Sequence, residues 1–207
     1  MTFTGFPIAA LDFYEDLEAD NSKAYWTAHK HVYDDAVKAP LEALVAELEP
    51  EFGEAKIFRP YRDVRFAKDK SPYKTQQGAW FGETSVYVHI SAAGLFVAGG
   101  YWQTSADQVA RLRKAIAADI AGAELETALA DITAAGFEIG GYQLARVPSG
   151  FAKDHPRADL LRYKTLTGSR ELGAPKWLST KKTRTEIEKR FRALAPLTDW
   201  LDAHVGH

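Results

Sequence analysis

Phe6, Ala10, Phe13, Tyr14 and Leu17 recur at steps of three and four, so residues 6–19 predict an amphipathic helix. Asn21 or Ser22 offers an N-cap for a second helix carrying Tyr25, Trp26, His29 and Tyr33. Pro40 suits the first turn of a third, whose buried stripe is Leu41, Leu44, Val45 and Leu48; Gly53 ends it. From Lys56 the rhythm shortens to two. Phe58, Val64 and Phe66 fall on one side of an expected strand, with Arg59, Tyr61, Asp63 and Arg65 on the other. Ser71-Pro72 then turns the chain. Further strands are expected near 76–82, 85–92 and 94–102. In the second of these, Val86, Val88 and Ile90 alternate with Tyr87, His89 and Ser91, and Ala93-Gly94 marks a hairpin turn.

A helix capped by Ser105 or Asp107 should carry Val109, Leu112, Ile116 and Ile120, followed by another over about 123–135 closed by Gly136. Residues 137–175 mix short strands to about 147, a loop from Pro148 to Pro156, a short helix near 157–163 and an extended piece. Helices at about 179–193 and 197–204 finish the chain. No repeat or linker interrupts it. This order predicts one α+β domain over residues 1–207, with an antiparallel or mixed central sheet and helices mainly on one face. The N-terminal helices are acidic.

Charge changes the picture most. Residues 1–54 hold twelve acids and three lysines, a balance of −9, whereas 55–207 hold sixteen acids and twenty-three bases, a balance of +7. Either the acidic helices neutralise a basic remainder, or one surface stays positive for an acidic ligand. With no cysteine there is no disulfide, thiolate metal site or cysteine nucleophile. The N-terminus lacks a basic leader and meets Asp12 early, and no apolar run spans a bilayer, so a cytoplasmic protein without membrane attachment is expected.

The densest chemistry lies in residues 56–75, where Lys56, Arg59, Arg62, Arg65, Lys68, Lys70 and Lys74 face only Asp63 and Asp69, an excess of five bases. Guanidinium forks match phosphate or carboxylate oxygens, and Tyr73 adds a hydroxyl or a stacking face. Three readings stay open: an internal ion-pair lattice, an anion pocket, or acid–base catalysis with Asp63 or His89 as general base. Two further basic regions are Arg146, Lys153, His155, Arg157, Arg162 and Lys164, and the helical run Lys176 to Arg192. Lys153 and His155 sit in the expected loop, where function concentrates. Trp26, Tyr101 and Trp102 lie beside glycines or polar runs and are candidates either for a cleft lining or for core. His29 and His31 point apart on a helix, and His204 and His207 close the chain. No metal-ligand spacing or nucleotide-binding glycine fingerprint occurs, so neither a metal nor a cofactor is expected.

The segment Arg59-Pro-Tyr-Arg-Asp-Val-Arg-Phe-Ala-Lys-Asp-Lys-Ser-Pro-Tyr-Lys-Thr75 resembles the signature of a family of conserved hypothetical proteins, a domain of unknown function. The likeness takes in Asn21 to Trp26, Tyr33, Pro40, Tyr87-Val-His89, the Gly99-Gly100-Tyr101-Trp102 run and Pro148 to Pro156, leading to Leu160, Leu161 and Lys164. Where that family usually has a proline after the Gly-Gly-aromatic run, this chain has Gln103-Thr104. The resemblance implies an α+β fold and a site around the signature, and no reaction. The leading expectation is a binding domain for a phosphate-bearing small molecule or nucleic acid through Arg59, Arg62, Arg65, Lys70, Tyr73 and Lys74, with Lys153 and His155. A metal-independent enzyme and a scaffold without a ligand are the alternatives.

Overall fold

The computed structural model describes residues 2–65 and 68–206. Phe66, placed above on the apolar side of a strand, and His207 lie outside the described residues. Helix α1 spans Ala9–Ala19 and begins behind Pro7, so the stretch through Phe3 and Phe6 is extended rather than helical as expected from residue 6. Those two rings are buried edge-on at 5.5 Å. Helix α2, Lys23–Val32, is capped by Ser22, whose Oγ accepts from Tyr25 N at 3.1 Å. A π-helical stretch, Tyr33–Lys38, carries the path without a break into α3, Ala39–Phe52. Pro40 at its front has no N–H for an α-type bond, and the wider turn lies just ahead of it. Gly53 closes α3 at φ +85°.

Strands β1 (Ala55–Ile57), β2 (Gln76–Phe81), β3 (Val86–Ser91), β4 (Gly94–Tyr101), β5 (Glu138–Gly140) and β6 (Leu166–Gly173) form one antiparallel sheet in the order β1-β2-β3-β4-β6-β5. In β1–β2 the register sets Lys56 opposite Trp80, and in β5–β6 it sets Ile139 opposite Gly168. Helix α4 (Ala106–Ala117) starts with a capping box in which Ser105 and Gln108 bond reciprocally. At the turn that reads Gln103-Thr104, the Thr104 hydroxyl donates to Lys164 O at 2.8 Å. Helix α5 (Asp119–Ala134) begins four residues earlier than expected and ends before Gly136, at φ +84°. The short α6 is Ala158–Leu161.

The two closing helices expected at about 179–193 and 197–204 are one, α7, over Lys182–His204, with Pro196 inside it. Ile187, Phe191, Leu194, Leu197 and Leu201 are buried on both sides of the proline. Burial of roughly 1.5–3 kcal/mol for each such side chain outweighs the ~3 kcal/mol penalty of a mid-helix proline.

The chain gathers into two compact units: Met1–Glu83, Tyr87–Val97 and Glu171–Arg190, and Thr84–Val86, Ala98–Arg170 and Phe191–His207. In the first, α3 rests on β2, with Phe52 edge-on to Phe81 at 6.3 Å. Val88, Ile90, Leu95 and Val97 are buried, while Tyr87, His89, Ser91 and Phe96 are half-exposed, in keeping with the alternation expected for β3. The acidic start meets basic partners here: Glu47 accepts from Phe3 N at 2.8 Å and pairs with Arg184 at 3.6 Å. In the second unit Gly168 lets Ile132, Leu194 and Leu197 close on the strand, and the Trp200 indole donates to Ala121 O at 2.8 Å. Among the described residues, no helix is long and apolar enough to cross a membrane.

Candidate functional site

Beyond Ile57 the signature segment is not the strand that its alternation predicts. Pro60 and Pro72 lack the N–H groups a ladder needs, and pairing shrinks to a single antiparallel bridge, Tyr61 with Tyr73. Arg62 N donates to Pro72 O at 2.9 Å and Lys74 N to Pro60 O at 2.8 Å, pinching off a loop. Short-range side-chain bonds organise its ends. Asp63 Oδ1 accepts from Arg65 N and Nε at 3.3 and 2.9 Å, and its Oδ2 accepts from Arg65 Nη2 at 2.6 Å. Asp69 accepts from Ser71 N and Oγ at 2.9 and 2.6 Å and pairs with Arg62. Lys70 Nζ donates to Val64 O at 2.9 Å. Arg59, Asp63 and Arg65 therefore do not share a strand face.

These bonds set the local electrostatics. The Ser71 hydroxyl and amide, and then Arg62, bring the Asp69 carboxyl down to about 2. Bonds from Arg65 lower Asp63, and Asp63 in turn raises Arg65. All four side chains are exposed, so each pair is a surface ion pair and not a buried lattice.

The base of the loop is held differently. Asn21 Oδ1 accepts from Tyr73 N at 3.0 Å, and Asn21 Nδ2 donates to Tyr73 O at 3.1 Å. The buried Tyr73 ring stacks on Trp26 at 4.2 Å and 7°. Tyr61 tilts against both Trp26 and Tyr73, at 6.1 and 5.6 Å. Below them the Tyr33 hydroxyl donates to Gln77 Oε1 at 2.8 Å, while Gln77 Nε2 donates to Phe58 O. The Asn21-to-Trp26 segment thus meets the Pro72-Tyr73 end of the signature. Asn21, read from sequence as a possible cap, is instead a clamp, because Ser22 does the capping. Gln77 was not foreseen; a buried polar position inside a strand was its one signal.

Arg59 and Lys74 are left at the root of the loop. Lys74 Nζ lies 5.1 Å from the Phe58 ring centroid. Partial burial, and then the like charge of Arg59, lower its pKa. No carboxylate lies in ion-pair range of Arg59 or Lys74 among the described residues. Phe58 continues to Tyr87 at 6.1 Å, Tyr87 to Phe96 at 6.2 Å, and Phe96 stacks on His89 at 4.6 Å and 15°. His89 Nδ1 is buried without a hydrogen-bond partner, and burial lowers the imidazole to about 4, so it is neutral at pH 7. Its ring contacts are Tyr87 and Phe96, whereas Asp63 bonds to Arg65. The two acid–base candidates have separate surroundings.

Lys153 and His155 belong to the second unit. Lys153 is exposed in the expected loop, and His155 Nδ1 accepts from Arg157 N at 3.0 Å. Arg157 pairs with Glu126 at 2.8 Å and also donates to carbonyls at 116, 118 and 119. Among the described residues no group of three or more His, Cys, Asp or Glu side chains is placed to hold a metal ion.

The model of the family described as "Conserved hypothetical protein (DUF2461)" matches residues 9–200. The chain belongs to this family. The DUF2461 match takes in both the signature and the Asn21–Trp26 clamp beneath it. No curated protein and no solved structure matches the chain.

Proposed function

We propose that this DUF2461 protein binds a phosphate-bearing ligand at the root of its signature loop, on Arg59 and Lys74, with Arg62, Arg65, Lys70 and Tyr73 around them. The observation that carries the reading is the pairing pattern. Arg62 and Arg65 each have a carboxylate, while Arg59 and Lys74 adjoin one another with none. Two neighbouring cations repel unless an anion neutralises them, and a phosphate monoester carries about −1.5 to −2 at pH 7. Lys70 could leave a carbonyl for a phosphate at little cost, since its bond is exposed.

Thermal stability titrated with phosphate, nucleotides and short oligonucleotides at constant ionic strength tests the reading. At a hundredfold excess over Kd the gain is about 2.7 kcal/mol. The Arg59→Ala/Lys74→Ala double variant should keep its fold and lose the gain. The clamp of Asn21 and Trp26 on Tyr73 favours a second reading, in which the signature only scaffolds its loop. That reading prevails when none of the anions stabilises the protein at millimolar concentration.

A further inference from the structure

The second unit holds an open cleft of about 900 Å³, within the range of small-molecule sites. Three parts of the chain wall it: the end of β4 with the start of α4, the segment after β5, and the residues entering β6. Its aromatic lining is Trp102 and Tyr142, which are 53% and 63% exposed. Large aromatics left this open cost solvation unless something covers them. The chain holds Tyr142 in place: Tyr142 N donates to Thr165 Oγ1 at 2.7 Å, and Lys164 Nζ lies 5.2 Å over the Tyr142 ring.

Among the described residues no acid lines the cleft, yet two cations do. Lys164 has no carboxylate partner among the described residues. Arg113 stands one helical turn beyond Val109 on α4, and its Nε and Nη2 are buried with no hydrogen-bond partner. Buried polar groups in folded proteins are almost always bonded, and a guanidinium is among the costliest to leave unmet. Neither Arg113 nor Lys164 has a carboxylate in ion-pair range among the described residues, and an anion carrying nearly two charges in the cleft offsets both.

We infer that this cleft is a nucleotide-monophosphate site, with the base against Trp102 and Tyr142 and the phosphate on Arg113 and Lys164. It uses none of the residues of the signature loop and stands whether or not that loop binds an anion. The phosphate comes either from a free nucleotide or from the 5′ end of a strand.

The experiment is equilibrium titration of adenosine monophosphate, adenosine and inorganic phosphate, followed by indole fluorescence and calorimetry. It is run in the Arg59→Ala/Lys74→Ala background so that binding at the loop does not contribute. Adenosine monophosphate should bind at least about tenfold tighter than either fragment and quench the indole signal. Trp102→Phe should remove most of the quenching. Arg113→Gln should weaken the nucleotide about tenfold or more while leaving adenosine unchanged. Should that variant fail to fold, Lys164→Gln, at a half-exposed position, makes the same comparison. Competition by a 5′-phosphorylated oligonucleotide, but not by its 5′-hydroxyl form, assigns the phosphate to a strand end; absence of competition assigns it to a free nucleotide. The inference is overturned if the nucleotide binds no tighter than inorganic phosphate, or if Lys164→Gln leaves its affinity unchanged.

Discussion

The signature loop and the cleft of the second unit are both basic, but their arginines are met differently. In the loop Arg62 and Arg65 each meet a carboxylate close in sequence, out in solvent. In the cleft Arg113 has two buried guanidinium nitrogens and no acceptor. A count of bases along the chain ranks the loop first, yet pairing leaves two cations without a carboxylate in each place among the described residues: Arg59 and Lys74 at the loop's root, Arg113 and Lys164 in the cleft. Charge density and available charge are separate properties, and only the second attracts a ligand.

The largest expected effect tests what holds the loop. If its aromatic base, and not its ion pairs, anchors it, Trp26→Ala should cost about 3–5 kcal/mol, as for other buried large-to-small changes. Trp26 is only 4% exposed and underlies both Tyr61 and Tyr73. Urea denaturation measures the loss; a change below about 1 kcal/mol would place the anchor elsewhere. The next effect has the opposite sign. Arg113→Met keeps helix propensity and removes unmet donors, so without ligand it should raise stability by about 1 kcal/mol. A comparable loss in the same denaturation experiment would mean that Arg113 is already satisfied, and the contrast with the loop would collapse.

The smallest effect lies in the loop itself. Asp63→Asn breaks an exposed pair and should leave the midpoint of thermal unfolding nearly unchanged. A marked fall in that midpoint would show the loop's charges to be structural after all, on a par with the clamp beneath them.

Much of the fold was legible because its punctuation is local. Ser22, Gly53, Ala93-Gly94, Ser105 and Gly136 each act within a few residues, and each stands at the expected end or turn. The signature was misread for the same reason in reverse. Its charges alternate like a strand, but Asp63 and Asp69 bond the nearby amides of Arg65 and Ser71, offering the backbone a local alternative to a ladder. The break expected between the two closing helices is absent because the apolar stripe that carries α7 through Pro196 is satisfied by tertiary packing. Of the site, the basic residues were visible and their partners were not. Lys164 and Trp102 stood out as a base and an aromatic, but nothing in their neighbourhoods joined them to Arg113 or Tyr142. Only the meeting of three elements does that.

The π-helical stretch Tyr33–Lys38 bears on how this chain tolerates insertions and deletions. Each α-helical residue advances the side chains by about 100°. A wide turn absorbs part of that rotation, so Trp26 ahead of it, Tyr33 and Val37 within it, and Leu41, Leu44 and Leu48 behind it are all buried. Removing one residue from the stretch would restore an α-helix, and because the wide turn already absorbs about one residue's rotation, Leu41, Leu44 and Leu48 would keep their side of the helix. The stretch therefore tolerates the loss of one residue better than the gain of another, which would add about 100° and carry Leu41 toward the solvent side. A loop such as 148–156 has no phase to keep and can change length freely.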